Sequence, residues 1–160
     1  MLSVKIICVG KLKEKFYIDG VKEYAKRLGA FCKLDIEELS ERRLEGAPSP
    51  AEISAALKKE AEDIRGRIPR DALKVALCVE GEQMDSVEFA GLIDGCGAGG
   101  ISRLCFIIGG SNGLDGDLKS ECRIRLSMSK MTFPHHLARV MLLEQIYRGF
   151  MINSGGKYHK

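Results

Sequence analysis

Leu104-Cys105-Phe106-Ile107-Ile108-Gly109-Gly110-Ser111-Asn112-Gly113 decides how this chain is read. The apolar run is too short for a buried helix and suits a strand covered on both faces, and the glycines end it in a turn. Strands buried on both faces belong to parallel sheets. Working outward, similar short apolar runs at 4–9, 31–37, 73–79 and 123–128 join 103–108 as strand candidates. Longer amphipathic patterns at 15–28, 51–67, 86–94 and 135–152, with a short one at 114–122, read as helices. The alternation predicts an α/β fold, a mostly parallel sheet with helices on both faces.

Local signals support these bounds. Ser49-Pro50 offers an N-cap followed by proline at the first helical position, and Ser86 opens a helix after a turn near Gly81. The charged segment 40–49 reads as an exposed loop. Residues 95–100 hold four glycines and read as a helix stop.

A chain of 160 residues fits one domain, 1–160, and its 45% apolar and 29% charged residues exclude a disordered protein. No apolar stretch approaches the roughly 20 residues of a membrane span, and the N-terminus lacks the pattern of a secretion signal. A cytoplasmic protein is expected. The six cysteines, Cys8, Cys32, Cys78, Cys96, Cys105 and Cys122, contain no C-x-x-C pair, so buried reduced thiols are expected and no metal site.

Charge is uneven. Residues 1–102 carry 16 basic and 18 acidic side chains, whereas 103–160 carry 9 basic and 4 acidic, with all three histidines (His135, His136, His159) in that second part. A local positive excess favours a polyanion through counterion release.

In open parallel sheets ligands collect beyond the carboxyl ends of the strands. Gly109-Gly110 lets a ligand approach the backbone, and Asn112-Gly113 suits a turn with positive φ. Neither the dinucleotide fingerprint nor the phosphate-loop lysine is present. The segment from Ser127 to Pro134 mixes hydroxyls, free backbone groups and apolar side chains, a lining suited to an adenosine with a thioether chain. A ligand-free turn and a merely capping role for the Ser and Thr residues remain the alternatives. The final helix carries apolar residues nearly all round, from Leu137 to Met151, which predicts a second covering surface and a homodimer built on it. Together these features point to a transferase with a small cofactor and a nucleic-acid substrate.

The chain also resembles a known family. The stretches Phe106-Ile107-Ile108-Gly109-Gly110-Ser111-Asn112-Gly113 and Leu126-Ser127-Met128-Ser129-Lys130-Met131-Thr132-Phe133-Pro134-His135 carry the likeness, with Glu144-Gln145-Ile146-Tyr147-Arg148 and the terminal Tyr158-His159-Lys160. They are similar to the ribosomal RNA large subunit methyltransferase H family, pseudouridine N3-methyltransferases of the SPOUT superfamily. Val9-Gly10-Lys11-Leu12-Lys13 and Glu23-Tyr24 extend it to the whole length.

The resemblance implies a C-terminal trefoil knot, S-adenosylmethionine bound in it, and two subunits sharing each site. It implies a substrate in large-subunit ribosomal RNA, methylated at N3 of a pseudouridine on the assembled ribosome. It places cofactor contacts on Leu77, Gly109, Gly110, Ser129, Lys130, Met131, Thr132, Phe133 and Pro134. The acceptor nitrogen must lose a proton, work suited to histidine and arginine, so His135, Arg139, Arg148, Tyr158 and His159 are the candidate catalytic groups. Plainer uses exist: His135 in a first helical turn, Arg139 and Arg148 paired with Glu144, Tyr158 as an anchor of the tail at the dimer interface, and His159 as a contact to RNA phosphate in place of a proton acceptor. His136 and Gly156-Lys157 fall where relatives vary and receive no chemistry. A non-enzymatic RNA-binding module and a flavodoxin-like nucleotide binder are the other classes considered; the first leaves two cofactor-like loops unexplained, the second leaves the terminal Tyr-His-Lys idle.

Overall fold

The computed structural model describes residues 1–160. In chain order the elements are β1 (Ser3–Val9), α1 (Lys15–Leu28), β2 (Lys33–Leu39), α2 (Pro50–Arg65), β3 (Leu73–Gln83), α3 (Ser86–Ala98), β4 (Arg103–Ile108), α4 (Gly116–Glu121), β5 (Ile124–Ser127) and α5 (His135–Asn153). The strands form one sheet in the order β2-β1-β4-β3-β5, and every pairing is parallel. The predicted α/β class is therefore observed.

Alternation along the strands sends side chains to two separate cores. Ile6, Cys8, Val75 and Phe106 pack with Leu28 of α1, Phe89 and Ile93 of α3, and Leu142, Leu143 and Ile146 of α5. Ile7, Val9, Ala76 and Ile107 pack on the other face with Ala61 and Ile64 of α2 and Leu118 of α4. Helices α1, α3 and α5 thus cover one face, α2 and α4 the other. No helix is long and apolar enough to cross a membrane.

Several boundaries differ from expectation, each for a local reason. Strand β2 begins two residues late because the Phe31 and Cys32 N–H groups still donate to the Leu28 carbonyl, closing α1. The cap of α3 is Asp85, in a reciprocal capping box with Glu88. That helix runs through Gly95 to Ala98, because its glycines face open space and only Gly100, at φ +76°, leaves helical geometry. The expected turn near Gly81 is instead part of β3: Leu126 pairs with Leu77 and again with Glu82, so residues 78–81 are looped out of register. A Cβ on Gly81 would lie 2.6 Å from the Arg125 carbonyl oxygen, so only glycine lets this loop cross so close to β5.

Much of the apolar girth of α5 is used inside one chain. It lies between α1 and α3 against the sheet, and a Cβ on Gly149 would meet Ile93 Cδ1 at 2.9 Å, which shows how near α3 stands. The Asn153 amide nitrogen donates to the Ala90 carbonyl and the Ser86 hydroxyl to Gln145, sewing the two helices together. The outward strip, with Leu137, Met141 and Ile152, stays half-buried.

Candidate functional site

Three segments converge at one edge of the sheet: the looped-out residues 78–81 within β3, the glycine turn 109–113 beyond β4, and the segment 128–134 leading from β5 into α5. Between them lies a cavity of about 700 Å³, within the roughly 300–1,000 Å³ of small-molecule and cofactor sites. Leu77, Ile108, Leu114, Leu126 and Ala138 make an apolar floor; Gly109, Gly110, Ser129 and Thr132 bring backbone and hydroxyls; Met131, Phe133, Pro134 and His135 close a side. Of the nine residues expected to contact a cofactor, all but Lys130 line it; Lys130 is exposed outside.

The glycine turn is tight because its own neighbours leave no room for side chains. Gly113, at φ +79°, donates to the Gly110 carbonyl at 3.1 Å, and a Cβ on Gly109 would collide with the Gly113 backbone. A Cβ on Gly110 would lie 2.6 Å from the Glu41 carboxylate. Glu41 accepts hydrogen bonds from both the backbone N–H and the hydroxyl of Ser111. Burial alone would raise its carboxyl, but the Ser111 hydrogen bonds outweigh that and hold it below its ordinary value. The second loop is held by its own hydroxyls, Ser127 to the Ser129 carbonyl and the Met131 N–H to the Ser129 hydroxyl. Pro134 caps α5 without a side-chain hydrogen bond, leaving first-turn N–H groups free at the cavity.

His135 stands in the cavity wall. Burial, followed by the neighbouring His136, holds its pKa below 6.5, and its Nε2 is buried without a partner. Both influences favour the neutral ring, which keeps one nitrogen able to accept a proton.

Arg139 lies beneath the cavity, not in it. Only 1% exposed, it donates from Nη1 to Glu38 at 2.6 Å and from Nη2 to the Gly10 carbonyl at 2.9 Å. Glu38 also accepts from the Leu12 N–H. The guanidinium thus ties α5 to β2 and to the connection after β1, and its partner is Glu38 instead of the anticipated Glu144.

The remaining catalytic candidates gather at the other end of α5. Arg148 donates twice to Glu144 Oε1, from Nε and Nη2 at 2.9 and 2.7 Å, and the Tyr158 hydroxyl donates to Glu144 Oε2 at 2.9 Å. Arg148 also stacks over the Tyr158 ring, 4.6 Å from its centroid, and places Nη1 3.1 Å from His159 Nδ1. Burial, then the Glu144 contact, raises the Tyr158 hydroxyl. A guanidinium only donates, so this contact is made by the tautomer whose Nδ1 accepts and whose proton sits on Nε2. From His135 to Arg148 is 13 helical residues, about 20 Å at ~1.5 Å each. One chain does not bring this cluster to its own cavity.

Glu38, Glu41 and residues 78–80 are not marked as site residues by the sequence. The two glutamates belong to an edge strand and a charged connection, where acids are ordinarily solvated, and no local pattern marked them. Cys78, expected to be one more buried thiol, is the half-exposed cysteine among six and lines the cavity. No cluster of three His, Cys, Asp or Glu is placed to hold a metal ion.

A family model described as "Predicted SPOUT methyltransferase" matches residues 2–159. Proteins named ribosomal RNA large subunit methyltransferase H are 46% identical in Clostridium beijerinckii and 45% in Streptococcus suis and Ligilactobacillus salivarius, each over 99% of this chain and 100% of the relative. In fold, the chain is similar to a probable methylase family protein from Haemophilus influenzae Rd KW20, with a TM-score of 0.54 at 13% identity, covering 100% of this chain and 72% of that one. With a family match along nearly its whole length and full-length relatives this similar, the chain belongs to the SPOUT methyltransferase family.

Proposed function

We propose that this protein transfers the methyl group of S-adenosylmethionine to N3 of a pseudouridine in large-subunit ribosomal RNA, in the cytoplasm and on the assembled ribosome. The whole chain, 1–160, acts as one domain. The observation that carries this is the cavity itself: a glycine cradle, an uncapped helix start and an apolar floor facing one another across space for a nucleoside with a short chain. Leu77, Gly109, Gly110, Ser129, Met131, Thr132, Phe133 and Pro134 would hold the donor, with Lys130 at its outer edge. When bound, the sulfonium supplies an electrophilic methyl group.

The reaction breaks a sulfur–carbon bond, forms an N3–carbon bond and releases the N3 proton. Loops sewn by Glu41 and Ser129 fix the donor side, so that positioning supplies much of the acceleration. His135 is kept neutral and can take a proton. Deprotonation of N3 spreads negative charge onto the flanking carbonyl oxygens, where a donor is needed. His159, with its proton on Nε2, and Arg148 provide one.

Those groups lie about 20 Å from their own cavity, which supports a homodimer in which the half-buried strip of α5 pairs with a second copy and each tail completes the partner's pocket. The close approach of the looped-out turn at Gly81 to the backbone of β5 supports the knotted threading. Labelled methyl transfer to ribosomes, followed by nucleoside analysis, tests donor, substrate and modified position together; no labelled pseudouridine derivative would refute the reading. His159→Ala with Tyr158→Phe is expected to lower turnover far more than donor affinity. Protein-free RNA is expected to be a poor substrate, because so modest a positive excess grips RNA weakly unless a folded target presents several phosphates at once.

A further inference from the structure

The connection between β1 and α1 takes no part in the cavity or in the tail cluster, yet it stands on the same rim. Its backbone is anchored: the Gly10 N–H donates to the Leu39 carbonyl at 2.7 Å, the Gly10 carbonyl accepts from Arg139, and the buried Leu12 donates to Glu38. What remains outside is cationic and aromatic. Lys11, Lys13 and Lys15 are exposed, and the Phe16 side chain is 67% exposed at the start of α1.

Two contacts fix this loop beside the donor cavity. Gly10, at φ +102°, backs onto the histidines; a Cβ there would lie 3.3 Å from Nε2 of His135, a cavity-wall residue. His136 then stands 4.0 Å from the Glu14 carboxylate and edge-on to the Tyr17 ring, with 6.0 Å between centroids. Lys11 and Lys13 have no ion-pair partner, whereas Lys15 pairs with Asp19 across one exposed helix turn, a contact of little worth that a phosphate can replace.

The Phe16 ring lies against Tyr17 with 3.9 Å between centroids yet stays 67% exposed, leaving a flat apolar surface on which a base can stack, and the unpaired lysines beside it suit a polyanion. Flat rings flanked by cations are how proteins hold unpaired RNA bases, the ring taking a base face and the cations its phosphates. We propose that Lys11 to Phe16 is a docking edge for the RNA flanking the target nucleotide, with Phe16 stacked on an unpaired base and Lys11 and Lys13 against phosphates. This rests on the reading that the substrate is ribosomal RNA.

The test compares wild type with Phe16→Ala, Phe16→Trp and the double variant Lys11→Ala/Lys13→Ala on purified ribosomes. Phe16→Ala is expected to raise KM about 5- to 150-fold with kcat held, and Phe16→Trp to restore it. The double lysine variant is expected to lower the slope of log KM against log salt by about 1.4, from roughly 0.7 per phosphate contact. Donor affinity by calorimetry stays unchanged in all three, which separates an RNA contact from a folding defect. Equilibrium binding to large ribosomal subunits needs no methyl transfer, so it reads this edge even where the methylation assay fails. Unchanged KM and unchanged binding in both Ala variants would overturn the proposal. So would a photo-crosslinking residue at position 16 that labels ribosomal protein and no RNA.

Discussion

Replacing Arg139 by methionine, alone and together with Glu38→Gln, measures the contact that holds the start of α5 to the rest of the site. The guanidinium is 1% exposed, with one 2.6 Å bond to Glu38 and one 2.9 Å bond to the Gly10 carbonyl. Breaking a buried ion pair by removing one partner costs roughly 3–5 kcal/mol. The Glu38 side chain is 33% exposed and still has the Leu12 N–H, so Arg139→Met strands it only partly and about 2–3 kcal/mol is expected. Glu38→Gln is the harsher change, at about 3–4 kcal/mol, because it leaves a cation with no counter-charge in the interior. The double variant strands neither charge. It is expected to cost less than the sum of the two single changes by about 2 kcal/mol or more. Urea unfolding at one fixed protein concentration, extrapolated linearly, gives all four stabilities. Should Glu38→Gln cost no more than an ordinary surface change, within about 0.5 kcal/mol, or should the two losses simply add, the claim that this pair clamps the site is wrong.

The tautomer of His159 is open to direct observation: long-range nitrogen–proton NMR near pH 7.5 is expected to show Nδ1 unprotonated and Nε2 protonated, and Arg148→Gln to mix the two forms; a dominant Nδ1–H form in the wild type would refute the donor role. Cys78 lines the cavity and is half-exposed, so among the six thiols it should alkylate first. S-adenosylhomocysteine should slow that reaction severalfold, and mass spectrometry that found no protection would place the nucleoside elsewhere. Burial pushes the Cys8 and Cys105 thiols up to about 12, and both should resist alkylation until the protein unfolds. His135 is held below 6.5 by burial, so the unfolded chain takes its proton first as pH falls; stability from this group is full above about pH 6.5 and is lost as pH falls below it, until the folded group titrates too. His135→Gln should flatten that part of the stability curve, and an unchanged slope between pH 5 and 7 would rule the group out.

The sheet was legible from the sequence because its strands are buried on both faces, so the apolar runs at 4–9 and 103–108 stand out from amphipathic helices. The glycine turn was legible too: with Gly109 against Gly113, a side chain has no room, and the residue type itself records the constraint. Acids on the outside of the fold carry no such mark. Glu38 and Glu41 sit among charged residues typical of any exposed connection, and their partners Arg139 and Ser111 lie 101 and 70 residues away.

Composition and periodicity, then, determined the layers, the glycine turn and the apolar character of the last helix, since each depends on neighbours a few residues apart. Tertiary structure alone decided that β3 loops out at 78–81 to wall the cavity, that Arg139 serves as a buried clamp, and that Arg148, Tyr158 and His159 gather at the far end of α5. The reason is physical: burial pattern and turn chemistry are written locally, whereas the pairing of a charge is fixed by whichever distant segment the folded chain brings within about 3 Å of it.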